Sequence, residues 1–350
     1  MRKFIIFTVI FICSFTVILP QTTDILKFLK GPYGLAIDGD FLYFVESDAK
    51  KLSKIEITEV EPTPIEVVSE LNSPSGIILI GNYLYISEFF AGRISKVDIT
   101  ANNPVSIEVV SGLNGPSGLA HSGNYLFISE FRAGKISKIN ITEENPVLSD
   151  VVYGLDEPEG LAIDGDDLFI CEYGAKKISK IDITIENPII EDLATDLGGV
   201  YGVRIRENYL YVCNTNSGLI FKLDLTDSNP YPEFFTDSYS GPTRFIINGD
   251  DMYVSEYNTG VISKTKLEPI SSVENTKSAS FIVYPNPAEE YLIVNSNKLP
   301  YSIKLYNLSG DLVKELSNIP NSDYKLDIKN LVSGCYVLNI DDEFIKFIKK

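Results

Sequence analysis

Six polar residues stand 42 positions apart: Glu46, Glu88, Glu130, Glu172, Asn214 and Glu256. Aromatic residues follow several of them directly: Phe89 and Phe90, Phe131, Tyr173 and Tyr257. Carboxylates beside exposed rings suit a cation, a sugar or a peptide, because acids accept hydroxyl and ammonium hydrogens while ring faces take apolar or cationic groups. The other reading is that each glutamate closes its own hairpin by accepting backbone N–H bonds. A residue repeated in every unit usually serves the fold that is repeated.

Symmetry also breaks, and ligand chemistry is most readily placed where it does. Arg204 stands where the other copies carry Ala36, Ile78, Ala120, Ala162 and Ile246, and Arg206 is close by. Asn214-Thr215-Asn216 replaces a glutamate-aromatic pair, and Arg244 replaces a glycine found in the other five copies. Three guanidinium groups on adjacent copies could frame an anion or carboxylate pocket beside the glutamate ring, or could neutralise neighbouring glutamates. His121 is the only histidine. Its column otherwise holds Ile37, Leu79, Ile163, Ile205 and Ile247, so it reads as a packing or channel residue rather than a general base. One histidine and scattered cysteines supply neither a Ser-His-Asp triad nor a zinc site of the usual kinds. No catalytic residue and no cofactor is assigned. A calcium or magnesium ion held by oxygen ligands on the axis stays open. A lysine column, Lys54, Lys96, Lys138, Lys180, Lys222 and Lys264, reads as structural, with stems over sheet edges and ammonium groups on nearby acids.

These residues are carried by a repeat. Segments beginning at Gly31, Ser73, Gly115, Glu157, Gly199 and Gly241 align without gaps. Each has four strand-sized pieces: one after a Pro-x-Gly turn, one after a tight Gly-Asn or Gly-Asp turn, a third rich in Ile and Ser, and a fourth after an Asn-Pro break. Two-residue Gly-Asn turns join antiparallel strands, and four such strands per 42 residues make one propeller blade. The expected fold is all-β: a six-bladed β-propeller of four-stranded antiparallel blades over residues 23–268, then a small C-terminal β-sandwich. The sixth copy stops after its third strand, and residues 24–29 align with the fourth strand of a blade. The N-terminal strand is therefore expected to complete the last blade, leaving no open sheet edge. Two columns, one beginning Tyr43 and Tyr85 and one beginning Leu52 and Ile94, are expected to form the core between blades.

The formal charge of −18 argues against nucleic acid and against anionic lipid. Residues 24–277 carry 20 Lys and Arg against 39 Asp and Glu, so the acidity belongs to the repeats. Arg2 and Lys3 precede an apolar run, Phe4 to Leu19, too short for a membrane span and read as a signal peptide over residues 1–22. No span is expected in the mature chain, which is expected to be a monomer. Cys171, Cys213 and Cys335 then remain, and an odd number in an exported chain argues against a disulfide framework.

The order Pro-Ser-Gly-Leu-Ala (Pro116–Ala120), Leu-Phe-Ile-Ser-Glu (Leu126–Glu130) and Ile-Ser-Lys-Ile (Ile136–Ile139) resembles the NHL and YWTD-type six-bladed propellers. Members of those groups mostly bind proteins or other ligands. It also resembles the streptogramin-lyase repeat, a family that uses histidines and a glutamate around a magnesium ion, and here only His121 could take such a part. Residues 269–279 read as a polar linker. In residues 280–350, Val283-Tyr284-Pro285-Asn286-Pro287-Ala288, Leu305-Tyr306-Asn307-Leu308-Ser309-Gly310 and Leu331-Val332-Ser333-Gly334-Cys335-Tyr336, with the ending Lys346 to Lys350, resemble the type A C-terminal sorting domain of type IX secretion. That resemblance implies Sec export, passage across the outer membrane by the type IX machinery, and release or display at the surface. The function expected is a ligand- or protein-binding module, for an unidentified protein, peptide or glycan, acting through its glutamate-ringed face. The alternative is a divalent-metal-dependent lactonase- or lyase-like propeller enzyme.

Overall fold

The computed structural model describes residues 22–267 except 229, 231, 237 and 238, and residues 281–349 except 285–287, 297–301, 308–310, 318, 320–322, 333 and 342. The expected signal peptide, apart from Thr22, and the expected linker lie outside the described residues. Every regular element described is a β-strand. Two compact units emerge, one holding the repeats and one the tail.

The repeats form six four-stranded antiparallel sheets, here called blades one to six. Their inner strands are Pro32–Asp38, Pro74–Ile80, Pro116–Ser122, Pro158–Asp164, Val200–Arg206 and Pro242–Asn248. Each inner strand packs beside the next, and the sixth packs beside the first, so the six surround an axis. Blade six takes its outer strand from the start of the repeat region: Thr22–Leu26 pairs antiparallel with Val261–Lys266. That strand sits a little earlier than the span 24–29 read from the repeat. The reason is local. Phe28 adopts a positive φ of 64°, which ends the ladder, and the Leu29 N–H then reaches the Gly260 carbonyl at 2.9 Å.

Both faces of every blade are apolar because each faces a neighbour. Tyr43, Val45 and Leu52 of blade one pack with Leu84, Ile86 and Val97 of blade two, and Tyr253 and Ile262 of blade six pack with Leu42, Phe44 and Ile55 of blade one. The columns led by Tyr43 and by Leu52 are buried throughout, as rings that bury at about 25 cal/mol per Å2 should be. Five of the six lysines of that column lie over aromatic rings, for example Lys222 at 4.1 Å and Lys54 at 4.5 Å from the centroids of Tyr209 and Phe41, and Lys180 pairs with Asp167 at 3.2 Å. Lys264 also pairs with Asp251 at 2.8 Å.

A bulge opens every inner strand. In blade three Pro116 pairs with Glu130, but the next pair is Leu119 with Ile128. Such a bulge re-aims one side chain, here the residue between Pro and Gly. The glycine is required by close approach of the neighbouring blade: a Cβ on Gly118 would lie 2.0 Å from the Glu159 carbonyl oxygen.

The tail unit is a two-sheet sandwich. Phe281–Tyr284, Tyr291–Ser296 and Asp323–Asp327 form one sheet, and Leu312–Ser317, Ser302–Asn307, Gly334–Ile340 and Glu343–Lys349 the other. Both contribute to one core that includes Phe281, Leu292, Leu305, Leu338 and Phe347.

Candidate functional site

The glutamate column ends the second strand of each blade, and its side chains turn inward. Glu46, Glu88, Glu130, Glu172 and Glu256 are all within 6% of fully buried. Each accepts a hydrogen bond from the backbone N–H sixteen residues earlier: Lys30, Asn72, Asn114, Asp156 and Ser240, at 2.7–2.9 Å. Four of them pair with the first residue of the third strand: Lys51 at 3.2 Å, Arg93 at 2.8 Å, Lys135 at 3.2 Å and Lys177 at 3.4 Å. Ser137, Ser179 and Ser263 donate to Glu130, Glu172 and Glu256. Asn214 serves the same turn from the opposite sense, donating to the Leu197 carbonyl at 2.7 Å and accepting from Asn216 and Ser217. The expectation of a ligand-binding ring of carboxylates around the axis is therefore corrected in favour of the other reading, closure of each hairpin. These groups close the turn into their own blade, and they recur because that turn recurs. Glu256 differs in one respect: Val261 stands where the basic partner would be. Burial, aided by the charge of Asp24, raises its pKa, although hydrogen bonds from Ser263 and Ser240 oppose the shift.

The axis is closed at this end by residues the glutamate column did not point to. The bulges aim Tyr33, Ser75, Ser117, Glu159, Tyr201 and Thr243 toward it. Arg244, from blade six, crosses to Glu159 of blade four at 2.8 Å and to Ser117 Oγ of blade three at 3.0 Å. Its other terminal nitrogen donates to the carbonyls of Tyr201 and Thr243, both at 3.2 Å. The Tyr201 ring lies 4.9 Å from the guanidinium carbon and the Tyr33 ring 5.8 Å from it. The two tyrosine hydroxyls hydrogen-bond each other. Ser117 also donates to Glu159 and shares a hydrogen bond of 3.1 Å with Ser75. Burial is the largest single influence and works against the Arg244 charge, but Glu159, Tyr201 and Tyr33 together outweigh burial and hold the group firmly cationic. Burial, followed by the Glu159 charge, pushes both tyrosine hydroxyls far above their usual range. The repeat did carry a signal for this site. Between near-invariant Pro and Gly, the middle residue is Tyr, Ser, Ser, Glu, Tyr and Thr in the six copies, polar and unlike from blade to blade.

Around this plug, and sharing Tyr33 and Tyr201 with it, the aromatics form two arcs. Tyr257, Tyr33, Tyr201 and Tyr173 stand in a chain with centroids 5.9, 5.9 and 5.7 Å apart, all near edge-to-face. Phe90, Phe89 and Phe131 form the second, at 5.3 and 5.9 Å. Arg132 lies 4.8 Å from the Phe89 ring and 5.2 Å from that of Phe90. Backbone bonds from Phe89, Phe131, Tyr173 and Tyr257 to Ser73, Gly115, Glu157 and Gly241 tie these loops to the Pro-x-Gly turns on the same face. Phe90 is 64% exposed and Tyr257 41%. The Tyr257 hydroxyl reaches exposed Asp48 at 3.4 Å.

The three arginines do not converge. Arg206 pairs with Asp250 at 2.8 Å near the opposite end of the blades. Arg204 lies beneath the plug, where it and Arg244 border one small cavity, and His121 stands further along the axis. Cys171 and Cys213 are free and buried, and the Cys213 sulfur accepts the Gly202 N–H at 3.1 Å. Among the described residues, no three His, Cys, Asp or Glu side chains cluster to hold a metal ion, and no helix is long and apolar enough to cross a membrane.

Comparison with known proteins accounts for both units. Residues 282–350 match the secretion system C-terminal sorting domain, and residues 198–230, in blade five, match the LVIVD repeat. Beta-agarase A of Zobellia galactanivorans is 27% identical over 79 residues, which is 22% of this chain and 14% of the agarase. This chain thus spans a small part of that curated relative. A gluconolactonase from Xanthomonas campestris superposes with a TM-score of 0.61 at 11% identity, over 71% of this chain and 90% of its own. A luciferin-regenerating enzyme gives 0.58 at 16%, over 71% and 95%. Virginiamycin B lyase from Staphylococcus aureus gives 0.53 at 12%, over 71% and 99%. At such identities the likeness is one of fold. The chain is a β-propeller with a C-terminal sorting domain that directs it through type IX secretion to the cell surface or the extracellular space.

Proposed function

We propose that the mature protein is a monomeric, exported binding module whose ligand lies across the aromatic arcs around the plugged end of the axis. One observation carries this reading. The Arg244–Glu159 pair seals the axis at that end, so a ligand there rests on a broad face instead of entering a pocket, and that face presents rings. Ring faces that accept C–H groups, next to carboxylates such as Asp48 that accept hydroxyls, favour a glycan. A metal-dependent enzyme would need carboxylates free to converge on an ion. Glu159, which does reach the axis, is bound to Arg244 and Ser117.

The test is a glycan array, with a peptide array beside it, probed with the full mature chain and with Tyr173→Ala/Tyr257→Ala and Phe89→Ala/Phe90→Ala variants. Glycan capture that falls about tenfold or more in a folded variant supports the reading, since the two rings each variant removes, at about 0.5–1.5 kcal/mol apiece, contribute roughly 1–3 kcal/mol. Capture of peptides alone moves the ligand class. Capture indifferent to all four rings, or calcium- or magnesium-dependent turnover of a lactone, overturns the binding face.

A further inference from the structure

Below the plug the axis becomes an aliphatic funnel of about 420 Å3, within the range of about 300–1,000 Å3 usual for small-molecule sites. Its wall is built from the inner strands, with Leu35, Ile78, Ala120, Ala162 and Ile246 among the residues that line it. Half-exposed Ile37, Leu79 and His121 line it at its open end. Two polar side chains line it, His121 toward the mouth and Arg204 within. Arg204 also borders the small cavity of about 10 Å3 under Arg244, space for roughly one water.

The charges on the axis do not balance. Arg244 has Glu159. Arg204 donates to the carbonyl of its neighbour Val203 at 2.8 Å, and among the described residues no carboxylate comes within ion-pair distance of it. Burial, reinforced by the Arg244 charge, pulls its pKa down to about 10. A half-buried guanidinium against an apolar wall, without a counter-charge, is unfavourable, and blades one to four and six show that Ala or Ile fits its column. The guanidinium fork matches a carboxylate in two-point geometry. The wall below it matches an aliphatic chain.

We propose that the funnel is a binding site for a small amphiphilic carboxylate, an aliphatic acid whose headgroup pairs with Arg204 and whose chain lies along the inner strands. Exposed Asp38, Asp40, Asp164 and Asp166 stand at the turns around the mouth and repel small free anions. Burial of the chain must therefore supply the driving force, and the arginine the selectivity.

The experiment is calorimetric titration of the full mature chain with decanoate, decanol, acetate and chloride. Decanoate is expected to bind at least about tenfold more tightly than decanol or acetate. Arg204→Met, which keeps the volume and removes the charge, is expected to abolish the preference for decanoate over decanol. Ala120→Phe, which fills the funnel and leaves Arg204 in place, is expected to abolish both. The proposal is overturned if decanoate and decanol bind alike, or if Arg204→Met retains the preference. It is also overturned if acetate or chloride binds as well as decanoate, which would mark a simple anion hole. Failure of Arg204→Met to fold would leave Ala120→Phe and the ligand series to decide. None of these outcomes bears on the aromatic face at the other end of the axis.

Discussion

Replacing Arg244 by glycine restores the residue that the other five blades carry, yet it should damage the propeller. The substitution strands Glu159, a carboxylate 2% exposed, without the guanidinium 2.8 Å away. Removing one partner of a buried pair typically costs about 3–5 kcal/mol, because the other charge stays buried. Loss of the Arg244 contact to the Tyr201 ring adds to this. At about 2–4 °C per kcal/mol for a domain of this size, the propeller's melting temperature should fall by roughly 6–20 °C. The informative partner is Glu159→Ser. Together the two changes give blade four the Ser-Gly of blades two and three and give blade six a glycine. The double variant therefore removes both charges at once and opens polar space that water can fill. It should recover at least about 2 kcal/mol relative to the sum of the two single losses, a coupling of the size seen between contacting groups. Circular dichroism is the readout, since the chain has no tryptophan. A loss below about 1 kcal/mol for Arg244→Gly, or strict additivity in the double variant, would refute the claim that the plug is a coupled ion pair.

Val261→Lys should supply the cation that Glu256 lacks and that Glu46, Glu130 and Glu172 have. The gain should be about 1 kcal/mol at pH 7. The raised pKa of Glu256 means its ionised form costs folded stability, so this gain should be present at neutral pH and fade as pH falls through the glutamate range. A gain that persists with the carboxyl protonated would contradict the assignment. Asp98, Asp182 and Asp224 are held below the usual aspartate range by hydrogen bonds from Thr100, Thr184 and Thr226. Folded-state values below the unfolded ones stabilise at neutral pH, so melting temperature should drop as pH falls below about 4; a rise there would contradict this. Gly118→Ala should cost at least about 1–3 kcal/mol in chemical denaturation, because its Cβ would press on backbone that packing holds in place. Deleting residues 282–350 should keep the propeller out of the medium and off the cell surface, as cell fractionation would report.

The fold was legible because a 42-residue period multiplies every weak strand and turn signal by six, and because the missing fourth strand of the last copy matched a surplus one at the start. Leu312–Ser317 carries no such signal. It is an edge strand of its sheet with no residue fully buried, so it shows no alternating apolar face. The site was harder to see for a physical reason. Repetition marks what every blade needs, and the glutamate column proved to be a turn closure of that kind. Contacts across the axis join blades that need not be neighbours in sequence: Arg244 meets Glu159 at a separation of 85 residues. Nothing in the spacing says which of the six inward-facing positions an off-pattern arginine will meet. What the sequence did expose was departure from the pattern, at Arg204 and Arg244. Each breaks a column that packing alone would fill with Ala, Ile or Gly, and each proves to be a cation on the axis. The axis holds two guanidinium groups and, among the described residues, one carboxylate, Glu159, paired with Arg244 alone. In a chain so acidic overall, that imbalance is the feature that packing does not explain and that a ligand would.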